Sequence, residues 1–234
     1  MPGDKSISQR ALILSSMAIG TTKINGISLS EDVKHLIKNL KLLNVKILKK
    51  KNITIVHGVG IGGLYKPKKN LYMGNSGTAT RLLLGALCNQ NFKTIFTGDK
   101  SLSNRSMNNL IIELKKVGAE IKCKNNKLPI QIKGISESIP IFYNQRIPSA
   151  QIKSAILLAS LNTRGKTVII ENIPTRNHTE ILLKILGAKI NIKKKKKKKT
   201  YRNTGSKRIN CKKYKYSWRS VRSFNYRGCC INNI

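Results

Sequence analysis

The sequence predicts an α/β (α+β) protein built from three copies of one unit. Two observations carry that expectation. Helix-patterned and strand-patterned stretches alternate along the chain, and the same order of stretches recurs at a spacing of about 70 residues.

Each copy opens on a helix. Ser6 begins "SISQRALILSSMAIG", Asn75 begins "NSGTATRLLLGALCNQ" and Ser149 begins "SAQIKSAILLASLNTRG". All three start with a small polar residue of capping type, carry apolar residues at helical spacing and end near Gly or Asn. A strand rich in β-branched residues follows each: "TTKINGI", "FKTIFTG" and "KTVIIENI". A second, amphipathic helix closes each copy: "EDVKHLIKNLKLLNV", "NNLIIELKKVGAEI" and "HTEILLKILGAKI".

Three equivalent helix starts can point the same way. Each then offers free N–H groups and about half a positive charge. Grouped together they form an anion site. Cations stand beside all three starts: Lys5 and Arg10 at the first, Arg81 at the second and Lys153 at the third. The pattern points to a small phosphorylated substrate. Asp4 and Asp99 follow Gly and read as turn formers.

The net charge of +37 comes from 46 basic and 9 acidic residues in 234. Every acidic residue precedes Lys193, and the composition before that point is rich in Lys, Ile and Asn together, as an AT-rich gene would make it. A basic RNA-binding protein is the alternative reading, against which stands the lack of aromatic clusters for base stacking. Cys88, Cys123, Cys211, Cys229 and Cys230 make no CxxC and no zinc-type spacing, so reduced thiols are expected. No run approaches the roughly 20 apolar residues of a membrane span, and Met1 leads straight into a polar motif rather than a signal peptide. The expectation is a cytoplasmic, monomeric protein with no membrane, no nucleic-acid partner, no metal and no cofactor.

Four motifs in order, "PGDKSISQRALIL", "MGNSGTATRLL", "FTGDKSLSNR" and "PSAQIKSAILLA", with a weaker fifth, "PTRNHTE", resemble the enolpyruvylshikimate-phosphate synthase family. That family transfers the enolpyruvyl group of phosphoenolpyruvate to shikimate-3-phosphate in aromatic amino-acid biosynthesis. The resemblance covers Pro2 to about Ile192. It implies a two-domain fold in which each domain holds three βαβ-type units, with this chain supplying most of one domain over residues 1–192.

The resemblance also implies roles. Lys5, Ser6 and Arg10 would hold the sugar phosphate, and Lys5 would also reach phosphoenolpyruvate and take part in proton transfer. Gly77 would lie against phosphoenolpyruvate with Asn75 and Thr78 beside it; a side chain there would intrude on the ligand. Arg105 would grip phosphoenolpyruvate through its two-pronged guanidinium. Ser149, Ala150 and Gln151 would bind shikimate-3-phosphate, Gln151 touching both substrates, and Thr175 would complete that site. Ala150 has no hydroxyl and could offer only backbone, and Gln9 stands where the family commonly has histidine. His178 reads as a packing or capping residue. The related enolpyruvyl transferase of cell-wall synthesis is disfavoured, because it lacks these motifs and uses a reactive loop cysteine. Because the second domain would supply the proton-accepting aspartate, a lysine and further arginines, this chain alone is expected to bind weakly and turn over little.

After Ile192 the pattern stops. Residues 193–234 begin with an unbroken lysine run and read as a basic, disordered tail. Such a run needs a nearly pure adenine tract in the gene, where a reading frame can slip, and a slip is the favoured reading. Lys215-Tyr216-Ser217-Trp218-Arg219, read one nucleotide later, permits Asn-Ile-Pro-Gly-Asp with the glycine forced. Sequencing of the gene across this tract is expected to show an open +1 frame coding a Pro-Gly-Asp motif; stop codons there would overturn the slip.

Overall fold

The computed structural model describes residues 3–195, 198–203, 209 and 215–216. The first unit holds α1 (Lys5–Met17), β1 (Ile19–Asn25), α2 (Glu31–Leu42), β2 (Lys46–Lys50) and β3 (Ile53–Val59). The second holds β4 (Leu71–Tyr72), α3 (Gly77–Leu87), β5 (Lys93–Thr97), α4 (Lys100–Ser103), α5 (Asn108–Lys116), β6 (Glu120–Cys123) and β7 (Ile130–Lys133). The third holds β8 (Phe142–Gln145), α6 (Ala150–Ala159), β9 (Thr167–Glu171), α7 (His178–Ile185), β10 (Ile190–Lys195) and β11 (Lys198–Asn203). A short strand, β12 (Lys215–Tyr216), returns to the first unit.

The three sheets have one topology. Their orders are β12-β1-β3-β2, β4-β5-β7-β6 and β8-β9-β11-β10. In each, an outer strand runs parallel to the strand that follows the central helix, and a hairpin completes the sheet antiparallel. Register repeats as well: Thr22 opposes Val56, Phe96 opposes Ile130 and Ile169 opposes Tyr201. All six side chains are buried, so each sheet turns one face to the core.

The outer helices α2, α5 and α7 end alike. Asn44, Gly118 and Gly187 adopt positive φ. Val45, Ala119 and Ala188 then donate N–H bonds back to Leu40, Leu114 and Leu183, which is the Schellman geometry. This stop cuts the expected helix "NNLIIELKKVGAEI" at Lys116 and releases its last residues as β6. Each outer helix therefore leads into a β-hairpin, an element the repeat pattern alone does not reveal.

Helices α1, α3 and α6 form the centre. Every α1 residue from Ile7 to Met17 is buried, and so is nearly all of α3 and α6. Helices surrounded on all sides need no single apolar stripe. α3 and α6 run parallel: Thr78 meets Gln151 at their starts, and Asn89 beyond α3 donates to the Leu158 carbonyl near the end of α6. Between these points the two backbones touch. A Cβ on Gly85 would lie 2.2 Å from the Ala155 carbonyl oxygen, so only glycine fits.

The tail differs from its expectation. Lys193–Lys195 continue β10, which places the expected boundary at residue 192 inside a strand, and 198–203 form β11 with Tyr201 buried against β9. Backbone hydrogen bonds do not depend on side-chain type, and Tyr201 supplies inward-facing bulk. β12 fills beside β1 the place that β4 and β8 occupy in their sheets; the rest of the tail lies outside the described residues. Among the described residues no helix is long and apolar enough to cross a membrane. Gly85→Ala is expected to lower stability by about 3 kcal/mol, because neither backbone can retreat; urea unfolding measures it.

Candidate active site

The three central helices begin side by side. Asp4 caps α1 by accepting from Ile7 N at 2.8 Å. Ser76 caps α3 by accepting from Ala79 N at 3.2 Å, and Ser149 caps α6 by accepting from Ile152 N at 3.3 Å. Gln9 of α1 donates to the Ser76 hydroxyl at 2.7 Å, and Gln151 of α6 donates to Thr78 of α3 at 2.9 Å. Arg10 of α1 reaches Ser154 of α6 at 3.5 Å. The helix starts thus share one patch, where their unpaired N–H groups and partial positive charges add.

Two caps differ from the expectation. Asp4 and Ser76, not Ser6 and Asn75, occupy the capping positions, because their side chains reach the third amide onward. Asp4 and Asp99 are helix caps rather than mere turn formers; Asp99 caps α4 through Leu102 N at 2.7 Å. The displaced residues are freed for other contacts. Ser6 accepts from Arg10 Nη1 at 2.7 Å, and Asn75 accepts from Arg105 Nη2.

Three arginines gather here without a carboxylate ion pair among the described residues. Arg81 Nη1 donates to Gln151 Oε1 at 2.9 Å and to the Gly77 carbonyl at 3.2 Å. Burial, and then the charge of Arg105, lower the Arg81 pKa. A Cβ on Gly77 would lie 2.8 Å from Arg81 Nη1 and 3.4 Å from Arg105 Nη1, so the bare glycine lets two guanidiniums converge. Arg10 is buried, with Nε donating to Thr179 at 2.9 Å. Burial draws its pKa down to about 10, Glu180 and Asp4 opposing and Arg176 assisting, which leaves it cationic at neutral pH.

The remaining expected residues are placed as follows. Lys5 is exposed, its ammonium 2.7 Å from Asp32 of α2, a surface pair weak enough to open for a ligand. Ala150 offers only backbone, its carbonyl accepting from Ser154 at 2.6 Å. Thr175 follows β9 and directs both its N–H and its hydroxyl to Glu171. Lys153 departs from expectation: it is fully buried, 2.9 Å from Glu171 and 2.7 Å from Glu180, and offers no charge at the surface. Ser154 and Thr179, which hold Arg10, carry no sequence signal, because only folding brings them to it. His178 lies half-buried beside α7's start, where burial, then Arg10, lower its pKa. Cys88 is buried at the end of α3, and burial pushes its thiol far up, away from nucleophilic use. A groove of about 480 Å³ between α5 and β8, lined by Ile112, Glu113, Phe142 and Arg146 among others, contains none of the expected site residues. No three His, Cys, Asp or Glu side chains cluster as a metal site among the described residues.

Fold and patch together define a threefold α/β module whose joined helix starts and unpaired arginines suit a small polyanion. A family model for EPSP synthase (3-phosphoshikimate 1-carboxyvinyltransferase) matches residues 1–216, and the chain belongs to that family. It is 46% identical over 195 residues to the 3-phosphoshikimate 1-carboxyvinyltransferase of Bartonella henselae, covering 83% of this chain and 44% of that protein. With the enzyme of the same name from Novosphingobium aromaticivorans it shares 43% identity over 194 residues, covering 82% and 44%. The solved EPSP synthase of Acinetobacter baumannii superposes with a TM-score of 0.81 at 38% identity, over 89% of this chain and 47% of that one. The chain thus spans under half the length of these relatives.

Gly77→Ala is expected to push the Arg81 and Arg105 guanidiniums apart, visible as shifts of their Nε–H NMR resonances. Stability should fall by less than about 1 kcal/mol, since the atoms met are ends of flexible side chains.

Proposed function

We propose that this chain forms the substrate-holding half of an enolpyruvyl transferase acting on shikimate-3-phosphate and phosphoenolpyruvate. The observation that carries the reading is the set of three arginines, Arg10, Arg81 and Arg105, none paired with a carboxylate among the described residues, where three helix starts meet. Arg81 and Arg105, which converge at Gly77, repel one another, and a bound polyanion relieves that repulsion.

In this reading Lys5, Ser6, Arg10, Ser149, the Ala150 backbone, Gln151 and Thr175 hold shikimate-3-phosphate, Lys5 and Gln151 also reaching phosphoenolpyruvate. Lys5, Asn75, Gly77, Thr78 and Arg105 receive phosphoenolpyruvate, with Arg81 bracing Gln151 between the two. A sugar hydroxyl attacks carbon two of phosphoenolpyruvate while its methylene takes a proton; phosphate then leaves as the proton is lost again. The cationic patch offsets the repulsion between the two anions as they are brought together. Lys5, itself exposed and held by one breakable ion pair, is the proton-handling candidate of this half. The ordinary family of such reactions needs no redox group, since no electron is exchanged with a carrier.

Calorimetry of the purified chain with shikimate-3-phosphate is the direct test, and saturable binding is expected. Arg10→Lys keeps the charge but loses the fork that spans Ser6 and Thr179, so affinity should drop roughly 10- to 100-fold, the value of about one to two charge-assisted hydrogen bonds. Arg105→Ala should leave shikimate-3-phosphate affinity within about threefold of wild type. Absence of binding by the wild-type chain would overturn the reading.

A further inference from the structure

Beneath the patch lies a buried charged cluster that the proposed reaction does not use. Lys153 has no exposed side-chain surface, and its ammonium stands between Glu171 at 2.9 Å and Glu180 at 2.7 Å, over the Tyr201 ring at 4.9 Å. Glu171 spends both carboxylate oxygens. Oε1 accepts from the Thr175 N–H at 2.8 Å and from the Thr175 hydroxyl, while Oε2 accepts from the Tyr201 hydroxyl at 2.7 Å. Burial favours the protonated acid, but the bonds from Thr175 and Tyr201 and the charge of Lys153 outweigh it and hold the carboxyl below the ordinary range. Glu180, by contrast, is pushed up by burial despite Lys153.

An ion cluster placed wholly inside a protein is costly to desolvate and seldom serves stability alone. This one touches the patch at two points. Through Glu171 it fixes the backbone and side chain of Thr175. On the other side Thr179, next to Glu180, receives Arg10 Nε, and Ser154, next to Lys153, bonds the same Thr179 hydroxyl at 2.7 Å. The elements carrying Arg10 and Thr175 are thereby referred to one buried centre.

We propose that Glu171, anchored by Lys153, is a positioning residue that fixes Thr175 at the distance from Arg10 needed to grip one sugar phosphate. The proposal rests on the reading of Thr175 and Arg10 as ligands of shikimate-3-phosphate. It separates two properties of Glu171: its charge, which Lys153 needs, and its reach, which Thr175 needs.

Two variants pull these properties apart. Glu171→Asp keeps the charge and loses reach; Glu171→Gln keeps the reach and loses the charge. The chain with either variant is assayed by thermal melting, by calorimetry with shikimate-3-phosphate and by hydrogen exchange of the Thr175 amide. The expected pattern is crossed. Glu171→Gln melts lower than Glu171→Asp but binds more tightly, and Glu171→Asp loses at least tenfold in affinity and in Thr175 amide protection. Tyr201→Phe, which strips a partner from the other Glu171 oxygen and from Glu180 but none from Thr175, should lower the melting temperature and leave affinity within twofold. Affinities that simply follow the melting order, or unchanged affinity in folded Glu171→Asp, would overturn the proposal. If neither Glu171 variant folds, the wild-type amide and Tyr201→Phe decide: an unprotected Thr175 amide, or a Tyr201→Phe chain that loses tenfold in affinity, overturns it. A wild-type chain that binds no shikimate-3-phosphate defeats the substrate reading instead, while Thr175 exchange still reports whether Glu171 holds that segment.

Discussion

The structure depends on packing parallel helices with their starts together. Parallel alignment brings like ends of three helix dipoles into one patch, an arrangement that repels itself unless something negative or polar answers it. Close backbone approach at Gly85 and Ala155 holds α3 and α6 in that alignment. The caps answer part of the field: Asp4 with a full charge, Ser76 and Ser149 with hydroxyls. The remainder goes unanswered among the described residues, and the arginines enlarge it.

Acidic residues are scarce in this chain, and where each goes explains why the patch stays positive. Asp4 and Asp99 cap helices, and Asp32 meets Lys5. Glu171 and Glu180 serve the buried Lys153. Glu31, Glu120 and Glu137 pair with lysines or an arginine at solvent-exposed positions, and the buried Glu113 pairs with the exposed Lys116, all away from the helix starts. These last pairs contribute little stability individually. None of the nine acidic side chains forms an ion pair with Arg10, Arg81 or Arg105.

Repetition supplies a scaffold, and departures from it supply function. Four residues past their caps, Ser8, Thr80 and Lys153 occupy equivalent buried places on the three central helices. Ser8 accepts from the Ser28 N–H, and Thr80 donates back to the Ser76 carbonyl, both small local contacts. The third unit places a lysine there instead and must bring two glutamates to it. That substitution turns a small polar contact into the centre that ties α6, α7 and the end of β9 together.

The sequence by itself determined the alternating elements, the threefold repeat and the family, because helical period, strand alternation and turn residues are written within a few neighbouring positions. It also named the residues around the helix starts. Tertiary structure alone decided which of two nearby polar residues capped α1 and α3, since Asp4 and Ser76 are selected by the path the chain takes into the turn. It sent Lys153 inward to Glu171 and Glu180, 18 and 27 residues further on, although its neighbours in the sequence suggested a charge at the patch. It also drew Lys198–Asn203 into a sheet beside β9. Local hydrogen bonds and periodicity need only short stretches of chain, whereas the partner of a charge or of a strand edge is settled by segments that folding brings from afar.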